Sequence, residues 1–533
     1  MAILPRFITF MFNSSYFQYE TEIGQNHAAV RATSNTIISE KNFTKFEVVS
    51  SSVRGMVHIR TCYNNKYLQL NPSGVYYYAT ADEPEEDRAK RSCTLFRFVI
   101  SGDNVTFFHQ VTNAERPVIV YVGGFLGVTF ASSPGAYRFR FRDMTSLVIL
   151  PKHVLFKGDD GNYLRARKGR WLEFVANDPM DWRVHHISTL VPNTGDVRLL
   201  SPRFNLYWQR INSDWLKCDA GETGHQNLLN SIFRPIRQSS SSQGTTIALL
   251  NTTNNRYCQR WTSGGNAGRI RASALNVPSN ALLTVEEAVR DREISNIRYH
   301  IDDARTYDMI PIRSVPQIVY NYGHSEAITK VGFSYTEVME DMFSSSHSWK
   351  LSVTSTVKVR FIPKIVEGKL TANASYAGEV KWSQRNRTEE RITSSTNAPV
   401  PARSITRVTL VVAQGSMDVP YSYKQRDVLM DGSLDIKDMH DGLFSGLNTF
   451  ELQYIIGEPQ SLPPNANPPP GQDNIVIVPG ESRDLPRMAI PRTLVVDEFK
   501  VKGKDQGEKE EPIPMEEDDQ GGEEELVPLP SKL

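Results

Sequence analysis

The segment VHIRTCYNNKYLQL, from Val57 to Leu70, is the clearest copy of a pattern that recurs through the first half of this 533-residue chain. It combines a strand-like run, a polar turn containing Asn, and a second strand that Tyr opens. Further copies begin at Ile8, Val105, Val154, Val197 and Ile247. Successive copies start 43 to 50 residues apart, so each is one supersecondary unit of a repeat fold.

Six such units fit two β-trefoils in tandem, because three units of about four short strands close one trefoil. A propeller also uses four strands per repeat, but its six blades would have to close into one ring. The segment DMTSLVILPKH, from Asp143 to His153, resembles a joint between two sets of three units and favours the trefoil pair. We therefore predict an all-β fold with trefoil domains at residues 1–147 and 152–291.

The composition and motifs favour a binding protein over an enzyme. Lys and Arg together number 60, as do Asp and Glu, so charge gives no argument for a nucleic-acid partner. The sequence has no HExxH, GxSxG or GxxxxGK[ST] motif. It also has no run of eighteen apolar residues that would predict a membrane-spanning helix. We expect no enzymatic activity, no cofactor and no metal.

Several of the repeat motifs resemble those of the amaranthin-like lectins, plant proteins built of two trefoil domains. The motifs are VHIRTCYNNKYLQL, ATADEPEED from Ala79, CTLFRF from Cys93, LFKGDDGNYL from Leu155 and YCQRWTSG from Tyr257. The resemblance covers most of residues 1–291 and implies binding of galactose-type or N-acetylgalactosamine-bearing glycans where protomers meet. Where that family has an aromatic pair, this chain has Val75 and Tyr76, so one aromatic is replaced.

The same stretch offers the residue types that sugar binding needs. A pyranose ring packs its apolar face on an aromatic ring, while its hydroxyls need amide and carboxylate partners. Asn71, Tyr76, Tyr78 and Asp82 supply both, and we predict them as the carbohydrate-binding residues. The alternative is that the alternating tyrosines fill the trefoil core. Four tryptophans are expected in the core or an interface: Trp171, Trp208, Trp215 and Trp261.

The repeats stop near Ile294, and long strand-like segments rich in Ser and Thr follow. Such strands suit an elongated antiparallel sheet. The segment TRVTLVVAQGSMDVPYSYKQRDVLMDG, from Thr406, and its surroundings resemble the aerolysin-like β-pore-forming proteins over residues 296–457. Pro and acidic residues dominate residues 458–533, which predicts a mostly disordered tail.

Two neighbouring segments, LSVTSTVKVRF from Leu351 and LTANASYAGEVKW from Leu370, are predicted to form a hairpin. When Phe361 is paired with Leu370, the apolar residues of both strands lie on the same face of the hairpin. Each strand has about 11 residues, enough for a tilted barrel strand to cross a membrane. The predicted membrane-inserting residues are Leu351, Val353, Val357, Val359, Phe361, Ile365, Val366, Leu370, Ala372, Ala374 and Tyr376. The predicted pore lumen contains Lys358, Arg360, Asn373, Glu379 and Lys381, which predicts weak anion selectivity. A soluble sheet with one solvated face would show the same alternation.

The combined interpretation is a lectin that binds glycans, oligomerises, and inserts a barrel of hairpins into membranes, with an implied role in plant defence. The alternative is a glycan-binding homo-oligomer that does not insert. Partners are glycans or glycoconjugates, the membrane and further copies of the chain, with no nucleic acid. The N-terminal MAILPRFITFMF lacks a cleavage site, so we expect a cytoplasmic protein that joins membranes when activated. The final Ser531–Leu533 matches a peroxisomal address and leaves that compartment open.

Overall fold

The computed structural model describes residues 3–484, apart from 22–26, 36–42, 131–136, 146, 192–193, 222–228, 242–243, 346–355, 367 and 383. Within these residues the secondary structure is β-strand with a few single-turn 3₁₀ segments and no α-helix. The strands form three antiparallel-rich sheets that follow one another along the chain. The predicted all-β fold is confirmed.

The first sheet is a β-trefoil, here called trefoil 1. Six strands close a barrel in the order β1–β4–β5–β8–β9–β12, and β12 pairs back with β1. Three hairpins, β2–β3, β6–β7 and β10–β11, extend from one end of the barrel. The strands are β1 Phe7–Phe12, β2 Ser15–Tyr19, β3 Val30–Ser34, β4 Phe46–Ser50, β5 Met56–Thr61, β6 Tyr67–Leu70, β7 Tyr77–Ala81, β8 Phe96–Ser101, β9 Asn104–Val111, β10 Ala114–Val120, β11 Leu126–Val128 and β12 Phe139–Asp143.

The second sheet, trefoil 2, repeats this topology. Its barrel runs β13–β16–β17–β20–β21–β24 and closes where β24 pairs with β13. Its hairpins are β14–β15, β18–β19 and β22–β23. The strands are β13 His153–Lys157, β14 Tyr163–Ala166, β15 Leu172–Ala176, β16 His186–Leu190, β17 Val197–Ser201, β18 Leu206–Arg210, β19 Leu216–Ala220, β20 Phe233–Ser241, β21 Gly244–Asn251, β22 Arg256–Arg260, β23 Ile270–Ala274 and β24 Leu283–Glu287.

The sequence repeat explains why both barrels close. Each copy of the repeat begins in the first strand of a four-strand unit, and its third residue points into the barrel. These six side chains are all at most 2% exposed: Phe10, Ile59, Phe107, Phe156, Leu199 and Leu249. Two separate apolar cores result, one in each barrel.

The third sheet contains longer strands. Its order is β29–β28–β25–β31–β32–β27–β30, and β26 pairs with residues 404–418 of β31, next to the part of β31 that pairs with β25. The 26 residues of β31 would extend about 85 Å if straight. The strands are β25 Val289–Tyr299, β26 Arg305–Asn321, β27 Ala327–Ser345, β28 Thr356–Val366, β29 Lys369–Lys381, β30 Arg385–Val400, β31 Ser404–Leu429, β32 Leu434–Ile456, β33 Gln460–Ser461, β34 Ile475–Pro479 and β35 Arg483–Asp484.

The third sheet extends further along the chain than the sequence predicted. Strand β33 pairs with β31, and β34 and β35 pair with β26. Residues 458–484 therefore contribute short strands to the sheet, although the sequence analysis placed them in the mostly disordered tail. Their Pro residues are tolerated because short strands at a sheet edge leave backbone donors unpaired. Residues 485–533 lie outside the described part of the chain.

Candidate functional site

The three hairpins of trefoil 1 meet around a pseudo-threefold axis, and we call this surface base 1. Single backbone bridges join Ala29 to Tyr78, Tyr76 to Gly127 and Phe125 to Arg31. The three bridges are equivalent by the pseudo-threefold symmetry. Ala29, Tyr76 and Phe125 occupy the same position in their units, and each pairs with the residue two positions later in a neighbouring unit. Base 1 therefore brings Tyr76 and Tyr78, which the sequence predicted as binding residues, onto the same surface.

Base 1 is mainly aromatic. The Tyr76 ring lies 5.2 Å from the ring of Tyr121 and 5.0 Å from that of Phe125. The Arg31 guanidinium lies 4.5 Å from the Phe125 ring and donates to the carbonyl of Gly123. Tyr76, Phe125 and Arg31 are half-buried, so part of each remains accessible to a ligand. Such a surface can pack against the apolar face of a sugar while Arg31 and the phenols bind its hydroxyls.

Tyr78 lies close enough to its neighbours for their charges to affect it. Burial and the neighbouring Tyr76 hydroxyl raise the pKa of Tyr78, against an opposite effect of Arg31. The phenol therefore stays protonated at neutral pH and can donate a hydrogen bond.

Asn71 supports this surface from within the turn that precedes Tyr76. Its Oδ1 accepts from the amides of Val75 and Tyr76, each at 3.2 Å, and from the Ser73 hydroxyl at 2.8 Å. The side-chain oxygen is thus engaged in holding the turn. Asn71 therefore positions Tyr76, and the structure gives it no free acceptor role of its own.

Asp82 is placed away from base 1, which splits the predicted four-residue site. It lies six residues beyond Tyr76 along extended chain, roughly 20 Å away. Its carboxylate is 3.5 Å from Lys66, and its carbonyl accepts from Arg305 Nε at 2.5 Å. Arg305 belongs to β26, so Asp82 lies where trefoil 1 contacts the third sheet. The sequence could not place it, because its partner is 223 positions away.

A buried carboxylate at the same contact, that of Asp303, was not among the residues that the sequence singled out. The hydroxyls of Tyr19 and Tyr63 donate to its two oxygens at 2.5 and 2.8 Å. His27 Nε2 lies 2.9 Å from the same carboxylate. Burial, and secondarily the Asp303 charge, raise the pKa of both tyrosines, so they remain donors. We call this group joint 1.

Trefoil 2 contacts the third sheet through a second polar group, joint 2. Asp435 of β32 lies 3.0 Å from His153 Nε2 and 2.8 Å from Lys437. The other ring nitrogen of His153 lies 3.0 Å from His185 Nε2. Burial and the nearby His153 lower the pKa of His185 to about 4, so this imidazole is neutral at pH 7. Met430 packs in the apolar cluster beside this group.

The predicted hairpin exists as β28 and β29, but its register differs from the prediction. Val357 pairs with Val380, and Lys358 pairs with Glu379. The predicted pairing of Phe361 with Leu370 is wrong, because β28 continues to Val366, which pairs with Lys369, and Leu370 pairs with Ile365. Leu351 and Val353 lie outside the described residues.

Two irregularities in β28 explain why alternation failed to give the register. The pairing shifts between Val359 and Phe361 and again between Ile362 and Lys364. As a result Val359, Ile362 and Ile365, three residues apart, are 5%, 2% and 1% exposed. A regular strand alternates with period two and could not bury all three. Phe361 and Val366, which the sequence grouped with them, are about half exposed.

The pairing also changes the expected lining of a pore. The sequence register left Lys358 without an acidic cross-strand partner, whereas the structure sets it opposite Glu379. Thr356 is opposite Lys381. The remaining predicted hairpin residues lie in β28 or β29: Arg360, Ala372, Asn373, Ala374 and Tyr376, with Leu370 near the turn. The pairing changes the partner of Lys358 but not the net positive charge of the predicted lumen residues, so weak anion selectivity stays a prediction.

The hairpin is held against the sheet by a side-chain clamp. Asn448 of β32 accepts from the Ile365 amide at 3.0 Å and donates to the Ile365 carbonyl at 2.8 Å. Tyr299 donates to the carbonyl of Phe361 at 3.0 Å. A side chain at Gly415 would place its Cβ 2.9 Å from Ile365 Cδ1, so glycine there permits the close packing. Asn448 thus makes the two hydrogen bonds with the Ile365 backbone that a neighbouring strand would otherwise make.

Among the described residues, no helix is both long enough and apolar enough to cross a membrane.

Comparisons with known proteins agree with this division of the chain. The Agglutinin domain model matches residues 4–112, and the Aerolysin toxin model matches residues 291–435. No curated protein matches the chain significantly.

Solved structures resemble parts of the chain. A mosquitocidal holotoxin is 10% identical with a TM-score of 0.25, and the match covers 53% of this chain. This chain spans only about a third of the holotoxin, 34%. Lamprey immune protein is 12% identical with a TM-score of 0.25, over 67% of this chain and 86% of that one. The parasporin-2 toxin of Bacillus thuringiensis is 18% identical with a TM-score of 0.19, over 32% and 74%.

The two family matches fall on trefoil 1 and on the third sheet. The chain therefore carries an agglutinin domain followed by an aerolysin-type toxin domain.

Proposed function

We propose that the chain binds glycans through base 1 and then oligomerises to insert the β28–β29 hairpin into a membrane as part of a closed barrel. One observation carries the proposal: an agglutinin domain with an accessible aromatic base is joined to an aerolysin-type sheet that carries a hairpin at one end of its strand order. Closure follows from physics, because an open sheet edge in lipid would leave backbone amides unsatisfied. Plant defence and galactose or N-acetylgalactosamine as ligands belong to this proposal.

Glycan binding at base 1 is tested by removing its central ring. Tyr76→Ala should weaken binding to galactose and N-acetylgalactosamine about tenfold, as expected for an anchoring aromatic. Tyr137→Ala is the matched control, since Tyr137 is an exposed tyrosine of trefoil 1 that packs on Phe12 rather than in base 1. A glycan array gives the measurement. Equal loss of binding in both variants would contradict the assignment of base 1.

Membrane insertion is tested by dye release from glycan-bearing vesicles. Val357→Asp should abolish release and keep glycan binding, because a charge on the lipid face of a barrel opposes insertion in every protomer, by about 2–4 kcal/mol for Arg or Lys at the bilayer midplane and less for Asp. Thr356→Asp is the control, since its neighbouring position faces the other side of the hairpin. Release by Val357→Asp equal to that of the parent chain would exclude this hairpin face from the membrane.

The second candidate is an oligomeric glycan-binding protein that does not insert. The burial of Ile362 and Ile365 in the core of the third sheet favours it, because these side chains already have a structural role. Silence of the dye-release assay at every protein concentration, with glycan binding intact, would support this candidate over insertion.

A further inference from the structure

Trefoil 2 has a surface equivalent to base 1, which we call base 2. Backbone bridges join Trp171 to Lys217, Trp215 to Arg271, and Arg269 to Glu173. The arrangement matches that of trefoil 1. Trp171, Trp215 and Arg269 occupy the same position in their units, and each pairs with the residue two positions later in a neighbouring unit. The Agglutinin match ends at residue 112, so the comparison does not cover this surface.

Base 2 is built of indoles and cations. Trp215 lies 6.4 Å from Trp171 and 5.9 Å from Trp261, both in edge-to-face arrangements. Lys217 Nζ is 4.9 Å from the Trp171 ring, and the Arg271 guanidinium is 5.1 Å from the Trp261 ring. All five side chains are half-buried, so a ligand can reach them. The fourth tryptophan, Trp208, is fully buried in the core as expected.

The positive charge of base 2 is only partly balanced. Glu173 is engaged by Arg167 at 2.5 Å and Arg269 at 3.2 Å. Lys217 and Arg271 have no carboxylate of the described chain within ion-pair distance. Arg271 donates Nε to the Ser213 carbonyl, which leaves the other nitrogens of its guanidinium for an anion.

The equivalent positions in base 1 differ in charge. Where base 2 has Lys217 and Arg271, base 1 has Tyr78 and Gly127, and its one cation at these positions is Arg31. The two bases share an aromatic surface, but only base 2 adds two unneutralised cations beside its indoles. The two surfaces therefore suit ligands of different charge.

We propose that base 2 is a separate binding site for an anionic saccharide, one whose ring carries a carboxylate or a sulfate. The indole rings pack against the apolar face of the sugar ring, while Lys217 and Arg271 donate charge-assisted hydrogen bonds to the anion. Because these cations have no described carboxylate partner, binding the anion breaks no ion pair. This site is independent of base 1.

The test compares lactose with 3′-sulfolactose and 3′-sialyllactose on the full chain by calorimetry, in the Tyr76→Ala background that weakens binding at base 1. We expect both anionic sugars to bind at least about tenfold tighter than lactose, and the difference to shrink when salt is raised. Lys217→Gln and Arg271→Gln should each remove most of the difference. Lys157→Gln is the control, because Lys157 also lies over an aromatic ring, that of Tyr163. Tyr163 begins β14, at the end of the β14–β15 hairpin that is far from Trp171.

Equal affinity for lactose and its sulfated form would overturn the proposal, as would a preference that survives both substitutions. Binding to phosphatidylserine vesicles through Lys217 and Arg271, without saccharide binding, would assign the surface to lipid instead. Thermal melts check folding. If a variant fails to fold, the salt dependence of the parent chain decides, because a preference for the anionic sugars that does not shrink at high salt contradicts the proposal.

Discussion

The clamp between Asn448 and the hairpin makes the sharpest prediction. Asn448→Ala removes both hydrogen bonds to Ile365 and leaves its amide and carbonyl without partners in a site where Asn448 is 3% exposed. A buried group without a partner costs about 1–3 kcal/mol, so the docked hairpin should lose about 3 kcal/mol. That free energy corresponds to a rise of roughly 100-fold in the population of undocked hairpin.

Two measurements follow this change. Hydrogen exchange over residues 356–381 should accelerate in Asn448→Ala, because exchange reports local opening. Dye release from glycan-bearing vesicles should begin at a lower protein concentration, since the hairpin is released before it inserts.

The control is Asn321→Ala at the other end of the sheet. Asn321 is 1% exposed and its amide nitrogen donates to the carbonyls of Ser325 and Val400, each at 2.9 Å. Its replacement should lower the melting temperature without changing exchange in the hairpin or the threshold for dye release. Unchanged hairpin exchange in Asn448→Ala would refute the clamp. Faster exchange with an unchanged threshold would show that docking does not limit insertion.

Three further predictions concern joints 1 and 2 and the hairpin register. Asp303→Asn should lower the free energy of unfolding by about 2 kcal/mol, because two tyrosine hydroxyls donate to this buried carboxylate; denaturant titration measures it, and an unchanged midpoint contradicts it. Burial lowers the pKa of His185 to about 4, so the unfolded chain binds more protons between about pH 6.5 and 4 and stability falls with acid there. At pH 5 this amounts to about 2 kcal/mol, and melts of His185→Gln at pH 7 and 5 should show a correspondingly smaller loss. Cysteines at Val357 and Val380 should cross-link before membrane addition, and cysteines at Val357 and Ala374 only after it, if insertion removes the two irregularities; a first pair that never links contradicts the register.

The trefoils could be predicted from the sequence because the same structural unit occurs six times and each unit requires the same pattern of apolar residues. Every unit must place one apolar side chain at the same point of a closed barrel, as Phe10 and Phe156 do. The same spacing therefore recurs wherever the barrel recurs. The position of Tyr76 and Tyr78 on one surface could also be predicted from the sequence, because residues two apart in an extended chain lie on the same face.

The hairpin register and the position of Asp82 could not be predicted in this way. Val359, Ile362 and Ile365 are buried at a spacing of three, and Gly415 and Asn448 meet the last of them, Ile365. Those two residues lie 50 and 83 positions from Ile365 in the chain, and no local pattern encodes them. The buried contacts of Asp303 also depend on residues distant in the chain, because Tyr19 and Tyr63 are 284 and 240 positions away.

The placement of base 1 and joint 1 limits how glycan binding can act on the hairpin. Tyr76 and Asp82 lie at opposite ends of β7, so a ligand on base 1 is roughly 20 Å from the contact with Arg305. Joint 1 is buried and its donors are satisfied, which favours a fixed attachment of the lectin domain over a moving one. We therefore expect the glycan to concentrate and orient the chain rather than to release the hairpin, because the bonds that hold Ile365 are made by Asn448 within the third sheet alone.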